Sequence, residues 1–270
     1  MEIQVRYIVG IISAIVFFIV IGEIFAKYFL GLGTPPLTVV HSTIEYMYKP
    51  NQDVYRFNNH FIVNQYGMRS VAFEPKKADD ELRIMGFGDS VINGGNLTDH
   101  SKLATSLLKD KLIKIAGKNA IVENISAGSW GPGNWLAYAQ EYGFFDADII
   151  VLVISSHDYA DNPTFQPLNK NTHPTEKPIS ALFEGFERYL PRYLPLIPGS
   201  TNVAETDQFV LEENEKTIQK GLEDLTSFLK LAKSNSSNVL VFQHYEQAEI
   251  ASRNTRQGNQ PEGVTTELGS

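Results

Sequence analysis

The sequence predicts a doubly wound α/β domain, a three-layer sandwich with helices on both faces of a parallel sheet, preceded by one N-terminal transmembrane helix. Three observations lead to this prediction. Short apolar runs alternate with longer segments whose apolar residues recur at helical spacing. One of these runs, residues 148–155, is apolar almost throughout, as expected of a central parallel strand that is covered on both faces. The chain also begins with a long apolar run of its own.

The apolar run at the N-terminus covers residues 7–32. A hydrocarbon core of about 30 Å takes about 20 helical residues, so Glu23 and Lys27 would lie at its outer edge. A cleaved signal peptide and a buried helix are the alternatives. However, Arg6 is the only basic residue before the run, and no clear small-x-small cleavage site follows it. We therefore interpret residues 1–32 as an uncleaved signal anchor of a single-pass membrane protein whose main domain is exported, to the periplasm or the cell exterior.

Two further regions follow the anchor. Residues 33–81 are rich in proline, asparagine and tyrosine, and we expect an extended arm that packs on the main domain. We expect residues 82–270 to form the main domain, with an insertion at residues 163–208. The aromatic part of the insertion, residues 183–198, is either a lid or membrane-surface patch, or a helical turn that packs on the domain. The predicted strands of the domain are residues 82–88, 120–124, 148–155 and 238–243. The predicted helices are residues 101–115, 134–142 and 212–234.

Composition excludes several classes of function. The chain has 23 lysines and arginines against 31 aspartates and glutamates, a net charge of −8, and this balance argues against a nucleic-acid partner because phosphate binding needs a basic face. No cysteine is present, which excludes a thiol nucleophile, a disulfide framework and a cysteine-ligated metal. The six histidines are dispersed without a metal-ligand spacing, so we predict neither a metal site nor a cofactor.

Polar residues follow every predicted strand at its carboxyl end, which is where ligands bind in open α/β sheets. A serine on a sharp turn before a helix can present its hydroxyl where helix N–H groups favour a developing oxyanion, and Ser90 has this position. The alternative is that Asp89 or Ser90 only caps the helix, as Asp158 would cap the turn after the third strand. The residues at the four strand ends are Asp89 and Ser90, then 128–133, then His157 and Asp158, then Gln243 and His244.

Three segments resemble conserved blocks of the SGNH, or GDSL-type, hydrolase superfamily. GFGDSVING, residues 86–94, resembles the first block, which makes Ser90 the nucleophile. NISAGSWGPGN, residues 124–134, is similar to the second block, whose glycine amide is an oxyanion donor; this role falls on Gly131, with Gly128 the alternative. The resemblance implies a flavodoxin-like sheet with the strand order 2-1-3-4.

The third block departs from the family pattern. SSHDYADN, residues 155–162, resembles Gly-x-Asn-Asp, but Ser155 replaces the glycine and His157 replaces the asparagine that donates to the oxyanion. An imidazole N–H could make the same donation. The C-terminal Asp-x-x-His that supplies the family's catalytic base has no counterpart after residue 243, so the domain is expected to be incomplete at its C-terminus. His157 is then a stand-in base, or else an oxyanion donor or a structural residue.

The resemblance also implies a substrate class. VNQYGMRS, residues 63–70, resembles a segment of membrane-anchored members that are associated with surface polysaccharide. The expected function is a serine ester hydrolase or O-acyltransferase acting on acylated cell-surface or extracellular polysaccharide, with partners among polysaccharide-biosynthesis proteins. The alternatives are a catalytically degenerate binding or scaffold subunit of a polysaccharide assembly system, and a truncated product without a stable fold.

Overall fold

The computed structural model describes residues 2–117, 119–190, 215–236, 238–245 and 249–250. Its centre is a four-stranded, fully parallel sheet, formed by β5 (Glu81–Gly88), β6 (Asn119–Ser126), β7 (Ile149–Ser155) and β8 (Asn238–His244). The strand order is β6-β5-β7-β8, so the expected 2-1-3-4 order and the parallel α/β class are confirmed. Four shorter strands precede this sheet: β1 (Thr38–His41), β2 (Glu45–Tyr48), β3 (Gln52–Arg56) and β4 (Asn59–Val63).

The helices follow the predicted alternation with the strands. The long ones are α1 (Glu2–Tyr28), α3 (Ala104–Ala116), α4 (Pro132–Tyr142) and α6 (Glu215–Asn235); the short ones are α2 (Ser90–Asn93) and α5 (Ala181–Glu184), which continues as a π-helical turn (Gly185–Tyr189). The predicted helix over residues 101–115 is divided, because Asp99 caps a 3₁₀ turn (His100–Lys102) and Leu103 is extended before α3 begins. Residues 191–214 and the tail after residue 250 lie outside the described residues. The end of the predicted insertion and the predicted incompleteness of the domain at its C-terminus fall within these residues.

Helices pack on both faces of β5, because successive strand residues point to opposite sides. Phe87 contacts the rings of Tyr138 in α4 and Phe228 in α6, and this side holds the main aromatic core. Gly86, on the opposite side, faces Ile92 of α2 and the start of α3. Layers therefore exist on both sides of the centre of the sheet.

The layer formed by α2 and α3 is narrower than the sheet. Gly86 pairs with Val151, which pairs with Leu240, so Leu240 and Phe242 of β8 face the same side as α2 and α3. These two side chains are 47% and 56% exposed. Within the described ranges, the edge strand β8 therefore has an apolar face that no helix covers, and a complete three-layer sandwich is not formed there.

The arm consists of two antiparallel hairpins, β1 with β2 and β3 with β4, followed by an irregular segment. Its buried Arg69 donates hydrogen bonds to the carbonyl oxygens of Asn93, Gly95 and Thr98, and its guanidinium lies 4.0 Å from the centre of the Phe61 ring. A buried guanidinium needs such acceptors because its charge cannot be removed. The arm thereby fixes the loop that follows α2.

The N-terminal helix is separate from the core of the domain. Residues 4–28 of α1 are long and apolar enough to cross a membrane, and the apolar window of this helix has no buried share. Its last turns contact the rest of the described chain, where Ala26 forms a small buried cluster with Leu32 and Ala181.

Candidate active site

Ser90 lies at the carboxyl end of the central strand β5, as the sequence predicts. Asp89 is the residue that caps α2: its Oδ1 accepts a hydrogen bond from the N–H of Val91 at 2.9 Å. Ser90 is the first residue of the helix and is exposed, and its hydroxyl makes no hydrogen bond within the described part of the chain. Because α2 has only four residues, its dipole is small, and an oxyanion at Ser90 would need other donors.

Two glycines were candidates for one of these donors, and their surroundings differ. The N–H of Gly131 donates to Oδ1 of Asn134 at 3.0 Å, and a Cβ at Gly131 would lie 2.0 Å from the carbonyl oxygen of Asp161. Gly131 thus caps α4 and packs tightly on the turn after β7. Gly128 is half-buried and accepts a hydrogen bond from the hydroxyl of Tyr46, while its own N–H makes no hydrogen bond to a described residue. The N–H of Gly131 is therefore already used, whereas that of Gly128 has no partner among the described residues.

His157 lies between two buried carboxylates that come from the ends of neighbouring strands. Its Nε2 is 3.5 Å from Oδ2 of Asp89 and 3.4 Å from Oδ1 of Asp158. Oδ2 of Asp158 accepts the N–H of Ser155 at 2.7 Å, so Asp158 also caps its own turn, as one interpretation of the sequence had it. Both aspartates are completely buried, whereas the His157 side chain is 31% exposed. The imidazole is thus the solvent-facing member of the cluster.

The two carboxylates decide the charge of His157. The hydrogen bond with Asp89, helped by the charges of Asp158 and Asp161, outweighs burial and raises the pKa of His157 to about 9. Burial, reinforced by the charge of Asp89, raises the pKa of Asp158 above its usual range. At neutral pH the imidazole therefore carries its proton, which makes it a poor base, and its positive charge favours a negative charge that develops beside it.

The same cluster is the place where a metal ion would fit best among the described residues. Asp89, His157 and Asp158 each offer one ligand atom, and these atoms lie within 4.8 Å of one another. The spacing of the histidines along the sequence did not indicate this group, because its members follow two different strands. The positive charge of protonated His157 offsets the charge of one of the two carboxylates, and the geometry alone does not require a cation.

Strand β8, the fourth strand of the parallel sheet, contributes less to the site. The Gln243 side chain accepts from the Tyr159 hydroxyl and donates to Ser156, each at 3.3 Å, so it supports the turn that carries His157. His244 is exposed and pairs in register with Ser155 at the end of β8. His157 and Asp89 join the ends of β7 and β5, and Gln243 joins the end of β8 to the turn after β7.

A cavity of about 110 Å³ extends from Gly128 toward the arm and the insertion. His173 and Tyr46 line it, with their ring centres 4.4 Å apart, and so do Arg56 and Arg188. His173 belongs to the predicted insertion. It is brought to the cavity because the adjacent Pro174 accepts a backbone hydrogen bond from Thr38 at 2.8 Å, a contact that no local pattern indicates.

Comparison with known proteins adds no name to this site. The sequence matches no protein-family model, and no curated protein matches it. The resemblance to SGNH hydrolases therefore depends on the three short segments and on the positions of their residues.

Proposed function

We propose that the protein is a membrane-anchored serine ester hydrolase or O-acyltransferase of the SGNH type, with a doubly wound three-layer domain exported from the cell. Its substrate would be acylated cell-surface or extracellular polysaccharide, with polysaccharide-biosynthesis proteins as partners. The observation that carries the proposal is the exposed Ser90 at the end of β5, which is relieved of the capping role by Asp89. The substrate class comes from the resemblance of residues 63–70.

The proposed reaction begins with attack of Ser90 Oγ on the ester carbonyl carbon. The new bond joins Oγ to the acyl carbon, and the bond between the acyl carbon and the sugar oxygen breaks. Solvent hydroxide takes the proton of Ser90, and the leaving sugar oxygen takes a proton from water. Water or a second sugar hydroxyl then takes the acyl group from Ser90, which regains its proton. The negative oxygen of the tetrahedral intermediate would be held by the N–H of Gly128 and the imidazolium of His157. Removing one such donor typically lowers the rate by about 10²–10³.

His157 is assigned as the electrophilic donor and not as the base, because a group with a pKa of about 9 is already protonated at neutral pH. None of the described side chains accepts a hydrogen bond from Ser90, so hydroxide from solvent takes its proton in the proposed reaction. A serine hydroxyl without an adjacent base is a weak nucleophile, and we expect slow turnover that increases with pH.

The lack of a described hydrogen-bond acceptor for Ser90 favours a second candidate, a binding or scaffold subunit that has lost catalysis. Such a protein would hold acylated carbohydrate in the crevice without needing a reactive serine. It would bind the carbohydrate equally well after Ser90→Ala.

The test uses the full chain in detergent micelles. It measures covalent labelling by a fluorophosphonate, read as added intact mass, and acetate release from an acetylated oligosaccharide. We expect labelling and acetate release to be lost in Ser90→Ala and kept in Ser227→Ala, which changes an exposed serine on α6. His157→Leu should lower acetate release by about 10² and His157→Gln by less, because Gln keeps an N–H donor. Equal labelling of Ser90→Ala and the unaltered chain would refute the catalytic proposal, and carbohydrate binding without labelling in either would support the binding subunit.

A further inference from the structure

The segment that contains α5 carries exposed apolar side chains next to the end of α1. Ile179 is 91% exposed, and Phe183 and Phe186 are 47% and 57% exposed. Ala181 and Glu184 of the same segment are buried, so the segment has an inner and an outer side. Three large apolar groups on an outer side are costly in water, and such patches often mark a contact surface.

This segment is attached to the N-terminal helix by direct hydrogen bonds. Both carboxylate oxygens of Glu23 accept N–H groups from the start of α5, those of Ala181 and Leu182, each at 2.8 Å. Leu182 also lies close to Gly22, where a Cβ would come within 3.4 Å of its side chain. The start of α5 therefore lies at the level of Gly22 and Glu23 along the axis of α1.

That level corresponds to the edge of a hydrocarbon core. The charge-free run of α1 between Arg6 and Glu23 is sixteen residues long and spans about 24 Å at 1.5 Å per residue. A core of about 30 Å would therefore reach Glu23. Its carboxylate can lie at this depth because the two N–H groups of α5 replace water as hydrogen-bond donors. Any element bonded to Glu23 would then lie in the same layer.

The segment is also held rigidly on its inner side. Glu184 and Arg56 of β3 form a two-fold hydrogen-bonded ion pair, with N–O distances of 2.6 and 2.8 Å. The Glu184 carboxylate accepts two more donors, the N–H of Gly33 at 2.6 Å and the Arg188 guanidinium at 2.8 Å. Both members of the pair are 1% exposed. The outer side chains are thus presented by a fixed support and not by a loose loop.

We propose that residues 179–186 lie in the interfacial layer of the bilayer that α1 crosses, with Ile179, Phe183 and Phe186 inserted among the lipids. The partner is a lipid surface, because hydrogen bonds attach the patch to the end of α1 and the patch thus continues the exposed apolar surface of that helix. Arg188 follows Phe186 by two residues and lines the cavity that reaches Gly128. The mouth of that cavity would then face the lipid headgroups.

The absence of native cysteine makes a direct test possible. Ile179→Cys, Phe183→Cys and Phe186→Cys are each labelled with a nitroxide in the full chain, with Phe242→Cys as the control, because Phe242 is similarly exposed on the sheet edge. The proteins are reconstituted in vesicles of phosphatidylcholine and phosphatidylglycerol. Power saturation then compares the collision rates of each label with oxygen, which concentrates in lipid, and with a water-soluble nickel chelate.

We expect the three segment labels to favour oxygen over the nickel chelate by several fold, and the control label to favour the nickel chelate. Nickel-chelate accessibility equal to that of the control at all three positions would overturn the proposal. Dipolar broadening between labels of two molecules would also overturn it, because the patch would then cover a second copy of the chain. As a second measurement, Phe183→Trp should be quenched by brominated lipids while the buried Trp130 and Trp135 are not. Neither measurement depends on catalysis, so this proposal and the proposed function can fail separately.

Discussion

Raising the pH from neutral to above 9 should remove the proton of His157 and a large part of the stability that this side chain contributes. Its pKa is about 9 against an ordinary value of 6.5, because the ring lies 3.5 Å from Asp89 and 3.4 Å from Asp158. At 1.36 kcal/mol for each pH unit, this interval corresponds to at most about 3 kcal/mol. A group whose pKa is raised by folding stabilises fully below its unfolded value, so the contribution is complete below about 6.5 and is lost as the pH rises through about 9.

Two measurements on the full chain in micelles check this prediction. Long-range proton–nitrogen NMR follows the imidazole, with His157→Gln identifying its signals, and should show a midpoint near 9. Urea denaturation should show that the unaltered chain loses stability relative to His157→Gln between pH 6.5 and 9.5. Asp89→Asn retains the oxygen that caps α2 but removes the charge, and it should lower the His157 midpoint. A midpoint at or below 6.5 in the unaltered chain would refute the reasoning, and His157 would again be available as a base.

Two further predictions concern the buried ion pair of Glu184 with Arg56 and the close packing of Gly131. Glu184→Gln should cost about 3–5 kcal/mol because Arg56 is left buried without its charged partner, whereas Glu187→Gln, an exposed neighbour, should cost less than about 0.5 kcal/mol. Hydrogen exchange of the peptide covering residues 181–189 measures this local opening, and equal protection in the two variants would contradict it. Gly131→Ala should cost at least about 1–3 kcal/mol because its Cβ would meet a carbonyl oxygen at 2.0 Å, whereas Gly128→Ala has open space. Urea denaturation compares the two, and equal stability would show that the turn after β7 yields easily.

The strands of the main domain could be predicted because each is a short apolar run between turn signals. The predicted run of residues 82–88 corresponds to β5, and that of residues 148–155 to β7, within one residue at each end. The start of α4 was placed two residues too late, at Asn134, because Pro132 fits the first turn of a helix and needs no N–H partner there.

The contacts within the site could not be predicted in the same way. Ser90 follows from its own turn, but the cluster of Asp89 and His157 depends on the register between β5 and β7 and on the direction of both side chains. The choice between Gly128 and Gly131 depends on which N–H is already used, and spacing from Asn124 permits either. Local sequence contains neither kind of information.

The arm shows a different limit of sequence-based prediction. Its composition predicted an extended arm packed on the main domain, but it did not indicate that Arg56, Asn64 and Arg69 are among the most buried side chains of the described residues. Each makes several hydrogen bonds: Asn64, for example, donates to the buried Glu123 at 2.9 Å, and burial raises the pKa of that carboxyl to about 8. Buried polar groups with such partners are compatible with a core, but their partners are distant in sequence.

These buried polar contacts connect the arm both to the segment that contains α5 and to the crevice around Ser90. Arg56 holds the segment with the exposed phenylalanines through Glu184, and Arg69 holds the loop after Ser90. Tyr46 of the same arm donates to the carbonyl of Gly128, on the other side of the crevice. All three contacts belong to the arm, so the arm connects the crevice to the segment that we propose to lie in lipid. If the proposed function and the proposed lipid contact both hold, a substrate attached to the membrane would reach Ser90 without leaving the bilayer surface.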